Sequence, residues 1–295
     1  MPTRRSARVL AAAMLATIGL LSAACVEPPP PGPGGPAPVN WYVEGDEVTV
    51  NNSQDETCVL GICANTNDEP YLLQIAFKVT VGEPNSAVAW RTGSGANELS
   101  GLGAGDSQVL AGAERARATF NGIQPLDLVA ALNPANKMDV LGTYTWAMES
   151  DLVSYDGNAD DFAEVFEDAL NAVVAPAALP STEEELVELI IDLIFNNAGN
   201  VLSLILANFP LLGLGDDALG GALYLGFGAN GALGSAIDAI LGGFSIPNTT
   251  ILGDNQIPPD FQGGGIFTLT GAKGFTQTFT GAGGQHTYDM DTGPA

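Results

Sequence analysis

The stretch from Tyr71 to Val81, YLLQIAFKVTV, constrains the fold of this chain more than any other feature. Successive side chains of a strand point to opposite faces of the sheet, so alternate positions report on one face each. Gln74 and Lys78 belong to a face of mixed polarity. The positions of the other face are all apolar: Leu73, Ile75, Phe77, Val79 and Val81. The alternation predicts a strand that buries this apolar face in a core.

The same period-two pattern occurs towards both ends of the chain. Before residue 150 it predicts strands in these further segments: WYVEGDEVTV, AVAWRT, DSQVLA, RARATF and GTYTWAME. After Pro247 it returns in GIFTLTG, GFTQTFTG and QHTYDMD, where threonines form a polar face: Thr268, Thr270, Thr276, Thr278 and Thr280. Short strands joined by glycine-containing turns are typical of an antiparallel β-sandwich or barrel.

The centre of the chain has helical spacing instead. Four apolar side chains share one face of a predicted helix: Phe162, Val165, Phe166 and Leu170. Ser181 and Glu184 match a capping box at the start of a second helix. The glycine- and alanine-rich stretch 216–244 predicts further helix in pieces, although each glycine costs about 1 kcal/mol relative to alanine in a helix.

These patterns together predict one α+β domain over residues 40–295. We expect a β-rich part (40–150), which includes a short helix in QPLDLVAALN, followed by a helical insert (158–245). A C-terminal β-meander (263–290) is expected to complete the N-terminal sheet. Two independent domains are the alternative that the sequence leaves open.

Residues 1–24 have the layout of an export signal. Arg4, Arg5 and Arg8 form a basic start, and an uncharged apolar run follows. The run ends in Ser22-Ala23-Ala24, small residues of the kind that a signal peptidase accepts. It is shorter than the ~20 apolar residues that span a bilayer. We therefore predict an exported protein and leave this segment out of the fold prediction.

Cys25 follows the small residues directly, and this arrangement resembles the lipobox of bacterial lipoproteins. The resemblance implies a lipidated Cys25 that anchors the chain to a membrane, although Ser22 stands where the motif usually has leucine. One acyl chain binds a membrane only marginally, so a stable anchor needs more than one. The Pro/Gly-rich residues 25–39 predict a tether, which suits a lipid-anchored domain and a freely secreted one equally.

The charge of the chain excludes some partners. Three of its nine basic residues lie in the export signal, which leaves six against 34 acidic residues. Such a chain repels nucleic acid, because binding to DNA depends on Lys and Arg that neutralise phosphates. It also repels anionic membrane surfaces. With 46% hydrophobic residues the composition is that of a folded protein, not a disordered one.

Cys58 and Cys63 form a C-x₄-C pair. The spacing differs from the C-x-x-C of redox enzymes, and no second pair completes a zinc site. Thiols of exported proteins meet an oxidising environment. We therefore predict a local Cys58–Cys63 disulfide. The odd cysteine count is explained if Cys25 is lipidated or removed with the signal.

The segment DGNADDFAEVFE, residues 156–167, resembles the calcium loop of an EF-hand. The oxygen-bearing residues at positions 1, 3, 5, 9 and 12 of that loop are Asp156, Asn158, Asp160, Glu164 and Glu167. The resemblance implies a Ca²⁺ site, but Asp161 replaces the usual glycine at position 6 and a strand pattern precedes the loop. A helix N-terminus is the alternative. NTNDEP, residues 65–70, is a second acidic turn.

Catalytic motifs are sparse. His286 is the one histidine of the chain, so any Ser-His-Asp system would need it, and we expect a plain strand residue there. The sequence contains no G-x-S-x-G elbow, zinc motif, P-loop or dinucleotide fingerprint. We name no catalytic residue. A carboxylate pair of the glycosidase type stays open, because acidic residues are numerous and nothing selects one pair.

The runs Leu193–Gly215 and Ala218–Ile237 contain no charged residue. By length each could span a bilayer. A helical hairpin over 184–243 is therefore either buried against the sheet, inserted into a membrane, or a groove for an apolar ligand.

The chain as a whole, with NDEPYLLQIAFKV in particular, resembles exported, often lipidated cell-envelope proteins of actinobacteria. The resemblance implies an extracellular or envelope location and no settled activity. Three functions are carried forward. The first is a non-enzymatic protein that binds a ligand or protein partner through its β-rich domain. The others are a membrane-inserting or pore-forming protein that uses 184–243, and a secreted hydrolase with carboxylate catalysis.

Overall fold

A computed structural model describes residues 37–53, 56–59, 62–65, 67–133, 135–150, 155–178, 180–192, 217–241, 259, 261–281 and 284–295. The export signal, Cys25 and most of the tether lie outside these residues. The strands are β1 (Val39–Ser53), β2 (Glu56–Val59), β3 (Ile62–Asn65), β4 (Pro70–Thr80), β5 (Val88–Gly93), β6 (Ser107–Val109), β7 (Ala118–Ile123), β8 (Asp139–Glu149), β9 (Asp217–Phe227), β10 (Phe261–Thr268), β11 (Lys273–Gly281) and β12 (Gly284–Pro294). The α-helices are α1 (Leu128–Ala131), α2 (Asp156–Val173), α3 (Glu183–Asp192) and α4 (Gly231–Leu241).

One sheet, the outer sheet, is built around β1. Its order is β11-β12-β1, and both β6 and β7 pair with the other edge of β1. All of these pairings are antiparallel. β1 can serve two short strands on one edge because it is long and its register shifts between Gly45 and Glu47. A bulge of this kind bends and twists a strand.

The second sheet, the central sheet, has the order β10-β9-β8-β4-β5. β10 runs parallel to β9, and the other pairings are antiparallel. Every residue of β8 is buried. In β4 the apolar face that the sequence predicts is buried, and so is most of the mixed face, including Gln74, whereas Lys78 is half-exposed. The central sheet is therefore covered on both sides.

Two hydrophobic cores account for this burial. The inter-sheet core lies between the sheets and includes Trp41, Val48, Leu72, Ala76, Phe279, Tyr288 and Met290. The helix-side core lies on the opposite face of the central sheet and includes Ile75, Phe77, Tyr144, Trp146, Phe162, Phe166 and Leu233. The result is a sandwich of two sheets with a layer of helices on one side. The predicted α+β sandwich is confirmed.

The structure corrects the helical prediction for 216–244. Its first half is β9, a strand within the central sheet, and only its second half is helical, as α4. The error has a physical cause: β9 is buried on both faces and is apolar after Asp217, so its sequence lacks the alternation that marks a strand. The glycines of β9 serve close packing, since a Cβ at Gly221 would lie 2.6 Å from a ring carbon of Tyr144.

The helical hairpin that the sequence predicts over 184–243 is also corrected. Its second arm, Ala218–Ile237, is divided between β9 and α4, so it is not one helix. Most of its first arm, residues 193–216, lies outside the described residues. Among the helices that the structure describes, none combines the length and the apolar character needed to cross a membrane.

The C-terminal strands are present, but they do not form one meander. β11 and β12 pair with each other and extend the outer sheet, as predicted, whereas β10 joins the central sheet. The side chain of Gln262 links the two sheets where they meet. Gln262 Nε2 donates to the carbonyls of Leu219 at 2.8 Å and Thr280 at 2.7 Å. The amide of Thr280 donates back to Gln262 Oε1 at 2.8 Å.

Candidate functional site

The outward side of the outer sheet, here called the open face, presents polar side chains to solvent. Alternation along β11, β12 and β1 places these residues on it, because their neighbours in sequence point into the inter-sheet core. All are exposed or half-exposed: Glu47, Thr49, Thr276, Thr278, Thr280, Gln285, Thr287, Asp289 and Asp291. Of the threonine face that the sequence predicts, Thr276, Thr278 and Thr280 lie here on β11, whereas Thr268 is buried in β10 of the central sheet.

A row of hydroxyl groups crosses the open face. The strand register pairs Thr278 of β11 with Thr287 of β12, Thr287 with Thr49 of β1, and Thr49 with Ser107 of β6. The Thr278 and Thr287 hydroxyls are 2.8 Å apart, and those of Thr49 and Ser107 are 2.6 Å apart. Asn51 Nδ2 donates to Thr287 Oγ1 at 2.7 Å. With strands about 4.8 Å apart, the row is about 14 Å long.

Carboxylates lie beside this row. Asp289 is the direct partner of Thr276 and of Glu47, and its Oδ1 accepts from Thr276 Oγ1 at 2.6 Å. Asp291 comes next along β12. Partial burial raises the pKa of Asp291, and the negative charges of Asp46, Glu44 and Asp289 raise it further. The open face is therefore negative at this end.

The two arginines nearest to this end of the face form ion pairs with Glu44. Arg115 Nη1 lies 2.9 Å and Arg117 Nη1 lies 3.3 Å from the carboxylate of Glu44, which is 4% exposed. The guanidinium of Arg117 also stacks on the Tyr42 ring, 4.0 Å from its centroid. A buried carboxylate must be paired to remain charged. Within the described part of the chain, no cation forms an ion pair with Glu47, Asp289 or Asp291.

The structure contradicts the EF-hand interpretation of residues 156–167. This segment is not a loop but the first turns of α2. Asp156 and Glu167 are about 16 Å apart along the helix axis, at 1.5 Å per residue, and Asn158 falls on the opposite side of the helix. Asp160 and Glu164 lie between them, so the five side chains do not converge on one ion. In the described ranges, no group of three His, Cys, Asp or Glu side chains could hold a metal ion.

The acidic stripe of α2 instead protects the edge of the central sheet. Glu167 Oε2 accepts a hydrogen bond from the backbone amide of Ala89, within β5, at 3.0 Å. Asn171 Oδ1 accepts one from the backbone amide of Ala87, which precedes β5, also at 3.0 Å. Arg91 Nε of β5 donates to Asp160 Oδ1 at 2.8 Å. An edge strand with unpaired amides is a template for pairing with another chain. The side chains of this stripe accept the hydrogen bonds of these amides, so the amides do not serve as such a template.

The helix start is tied to the same strand. Asp156 Oδ1 accepts from the amide of Gly95 at 3.0 Å, and its Oδ2 accepts from Ser94 Oγ at 2.5 Å. Arg91 Nη1 lies 3.7 Å from Asp156 Oδ2. Asp156 therefore fixes the turn that follows β5. The carboxylate spacing that suggested a calcium loop is the spacing of contacts along a helix face.

The predicted cysteine pair lies in the β2–β3 hairpin. The register places Cys58 directly opposite Cys63. Direct partners in an antiparallel pair have Cα atoms about 4.5–5.5 Å apart, within the range that a disulfide bridges. The disulfide itself stays a prediction, supported by this register. Cys25, the predicted lipidation site, lies outside the described residues.

His286 makes a buried contact that the sequence analysis missed. Its Nε2 lies 2.7 Å from Asp68 Oδ2, and neither side chain is exposed. Asp68 belongs to the acidic turn NTNDEP. The alternation of QHTYDMD carried the signal, because His286 shares a face with Tyr288 and Met290.

Further polar groups surround this pair. Burial raises the pKa of Tyr288, and the nearby carboxylates of Asp68 and Glu149 raise it further. His286 Nδ1 has no hydrogen-bond partner among the described residues. The pair thus has the imidazole and carboxylate of a Ser-His-Asp triad, but no hydroxyl or thiol bonds to the imidazole in the described part of the chain.

Comparisons with protein-family models, with curated proteins and with solved structures found no match to this chain.

Proposed function

We propose that this chain is a non-enzymatic exported or cell-envelope protein that binds a cationic polypeptide segment through the open face. Its export is supported by the basic and apolar residues 1–24, and its attachment to the envelope by Cys25. One observation carries the choice of surface. Glu47, Asp289 and Asp291 lie together on a sheet face with no cation paired to them in the described residues.

The chemistry of the open face favours a basic partner. Carboxylates attract lysine and arginine over several ångströms and speed their association. The hydroxyl row beside them offers further acceptors to ammonium and guanidinium donors, which form charge-assisted hydrogen bonds with the carboxylates. Thr278 and Thr287 also keep the face free of large apolar groups, so the contact is polar and depends on salt.

The proposal is tested with a fluorescein-labelled lysine octapeptide and fluorescence anisotropy at low salt. The first variant combines Glu47→Gln, Asp289→Asn and Asp291→Asn. We expect its Kd to rise at least tenfold, about 1.4 kcal/mol, because the charges that meet the peptide are removed.

The matched control combines Asp161→Asn, Glu164→Gln and Asp168→Asn, three exposed carboxylates of α2. It removes the same charge from another surface. We expect its Kd to change less than twofold. An equal loss of binding in both variants would mean that the net charge of the chain, and not the open face, attracts the peptide.

A further inference from the structure

Gln74 places an amide group in the inter-sheet core. It lies in β4, and its side chain is fully buried on the same face as Leu72 and Ala76, which pack in that core. Neither Oε1 nor Nε2 of Gln74 has a hydrogen-bond partner in the part of the chain that the structure describes. The amide can donate two hydrogen bonds and accept two, so all of this capacity is unused within the described residues.

The neighbours of Gln74 across the sheet are polar. Thr92 of β5 and Thr145 of β8 are its direct partners in the register, so all three side chains lie on the same face. Thr145 is fully buried, and its hydroxyl lies 3.1 Å from that of Thr143. A hydroxyl group donates one hydrogen bond and accepts two, so Thr145 has capacity left for another partner.

Three alanines lie in or beside this polar row. Ala222 of β9 continues the row, while Ala76 and Ala147 lie on the same face in the neighbouring rows, which also contain Tyr224 and Leu72. Short side chains leave more room between two sheets than the leucines and phenylalanines that fill a core elsewhere. A polar site with room for one water molecule and two or more hydrogen-bonding groups is the kind that holds buried water.

We propose that an ordered water molecule is bound between the two sheets by the Gln74 amide and the Thr145 hydroxyl. Buried polar groups in proteins are satisfied by protein or by ordered water, because an unsatisfied one is costly. Methionine at position 74 would fill the same volume without that cost. This site is independent of the open face and of the function proposed for it.

A direct test uses the wild-type chain labelled with ¹⁵N. We expect the side-chain amide protons of Gln74 to show cross-peaks at the water frequency, with the sign of a long-lived bound water in both NOE and ROE spectra. Missing cross-peaks would overturn the proposal. So would a bound organic molecule released on denaturation and detected by mass spectrometry, because the occupant would then not be water.

A second test counts long-lived internal waters by ¹⁷O relaxation dispersion. Gln74→Met should have one such water fewer than the wild type. The control Leu72→Met places methionine on the same face of β4 and should keep the wild-type count. An unchanged count in Gln74→Met would overturn the proposal. If Gln74→Met does not fold, the cross-peaks of the wild-type chain decide.

Discussion

At the scale of single residues, the structure depends on contacts between buried polar groups that are distant in sequence. His286 and Asp68 are separated by 218 positions and meet at 2.7 Å without any exposure to solvent. Asp68 also forms backbone hydrogen bonds with Leu102 in both directions, at 3.0 and 2.8 Å. The pair thus connects β12, the segment before β4 and the loop at Leu102.

Breaking this pair should be strongly destabilising. We expect Asp68→Ala and His286→Ala each to lower the free energy of unfolding by about 3–5 kcal/mol, because each leaves a buried partner without compensation. The double variant should cost less than the sum of the two, which urea unfolding measures. Strictly additive losses would mean that the two side chains do not interact in solution.

Asp291 should make stability depend on pH. Its pKa is raised in the folded chain by partial burial and by Asp46, Glu44 and Asp289, so the folded chain resists its ionisation. Stability therefore falls as pH rises from the unfolded pKa, about 3.9, through the folded pKa. We expect Asp291→Asn to raise Tm at pH 7 but not at pH 3. Asp161→Asn, on an exposed part of α2, is the control and should leave Tm unchanged at both values.

At the scale of elements, α2 acts as a cover for a sheet edge. Its apolar face packs Phe162 and Phe166 into the helix-side core, and its acidic face meets β5. One helix thereby buries apolar surface and satisfies backbone amides that a strand would otherwise bond. The register of α2 is fixed by these two sets of contacts together.

Removing one hydrogen-bond acceptor of α2 should leave a backbone amide of β5 without its partner. We expect Glu167→Ala to lower the free energy of unfolding by about 1–3 kcal/mol, since the amide of Ala89 loses its acceptor. Hydrogen exchange at Ala89 should become faster. Glu164→Ala, on the exposed part of the same helix, should do neither. Unchanged exchange in Glu167→Ala would show that the amide finds another acceptor.

The β2–β3 hairpin should depend on its cysteines. A two-stranded hairpin is marginally stable by itself, and a disulfide across so short a loop contributes about 2 kcal/mol in the chain-entropy estimate. We expect the Cys58→Ser/Cys63→Ser variant to have a lower Tm than the wild type without reductant. With reductant the variant and the wild type should have the same Tm. An equal Tm in the absence of reductant would exclude the disulfide as a source of stability.

At the scale of the whole molecule, stability comes from two sheets that share a core containing buried phenols. Tyr224 comes from the central sheet and Tyr288 from the outer sheet, and both are fully buried. Burial is the main cause that raises the pKa of each. The folded chain therefore keeps protons that the unfolded chain releases above pH about 10.

This difference should weaken the sandwich at alkaline pH. Because the folded chain binds more protons than the unfolded one, the free energy of unfolding falls as pH rises above about 10. Urea midpoints at pH 8 and pH 11 measure the loss. We expect Tyr224→Phe to reduce that loss. A loss of the same size in the variant would assign the alkaline sensitivity to other groups.

Local periodicity was sufficient for much of the fold. Alternation identified β1, β4, β5, β6, β7 and β8, and a spacing of three and four identified α2. These signals report which residues face a core, and they arise within one element. β9 escaped detection because its sequence is apolar after Asp217 and rich in glycine and alanine, so it shows no alternation. In the open face the threonines were visible in the sequence, but their alignment with Thr49 and Ser107 was not.

The sequence by itself determined the elements at the two ends of the domain and the inward face of strands such as β4. Only the tertiary structure decided that β10 pairs with β9, that Asp68 meets His286, and that Glu167 caps β5. The physical reason is the range of the interactions. Side-chain alternation acts between neighbours in sequence, whereas strand pairing and buried hydrogen bonds depend on which distant segments share a core.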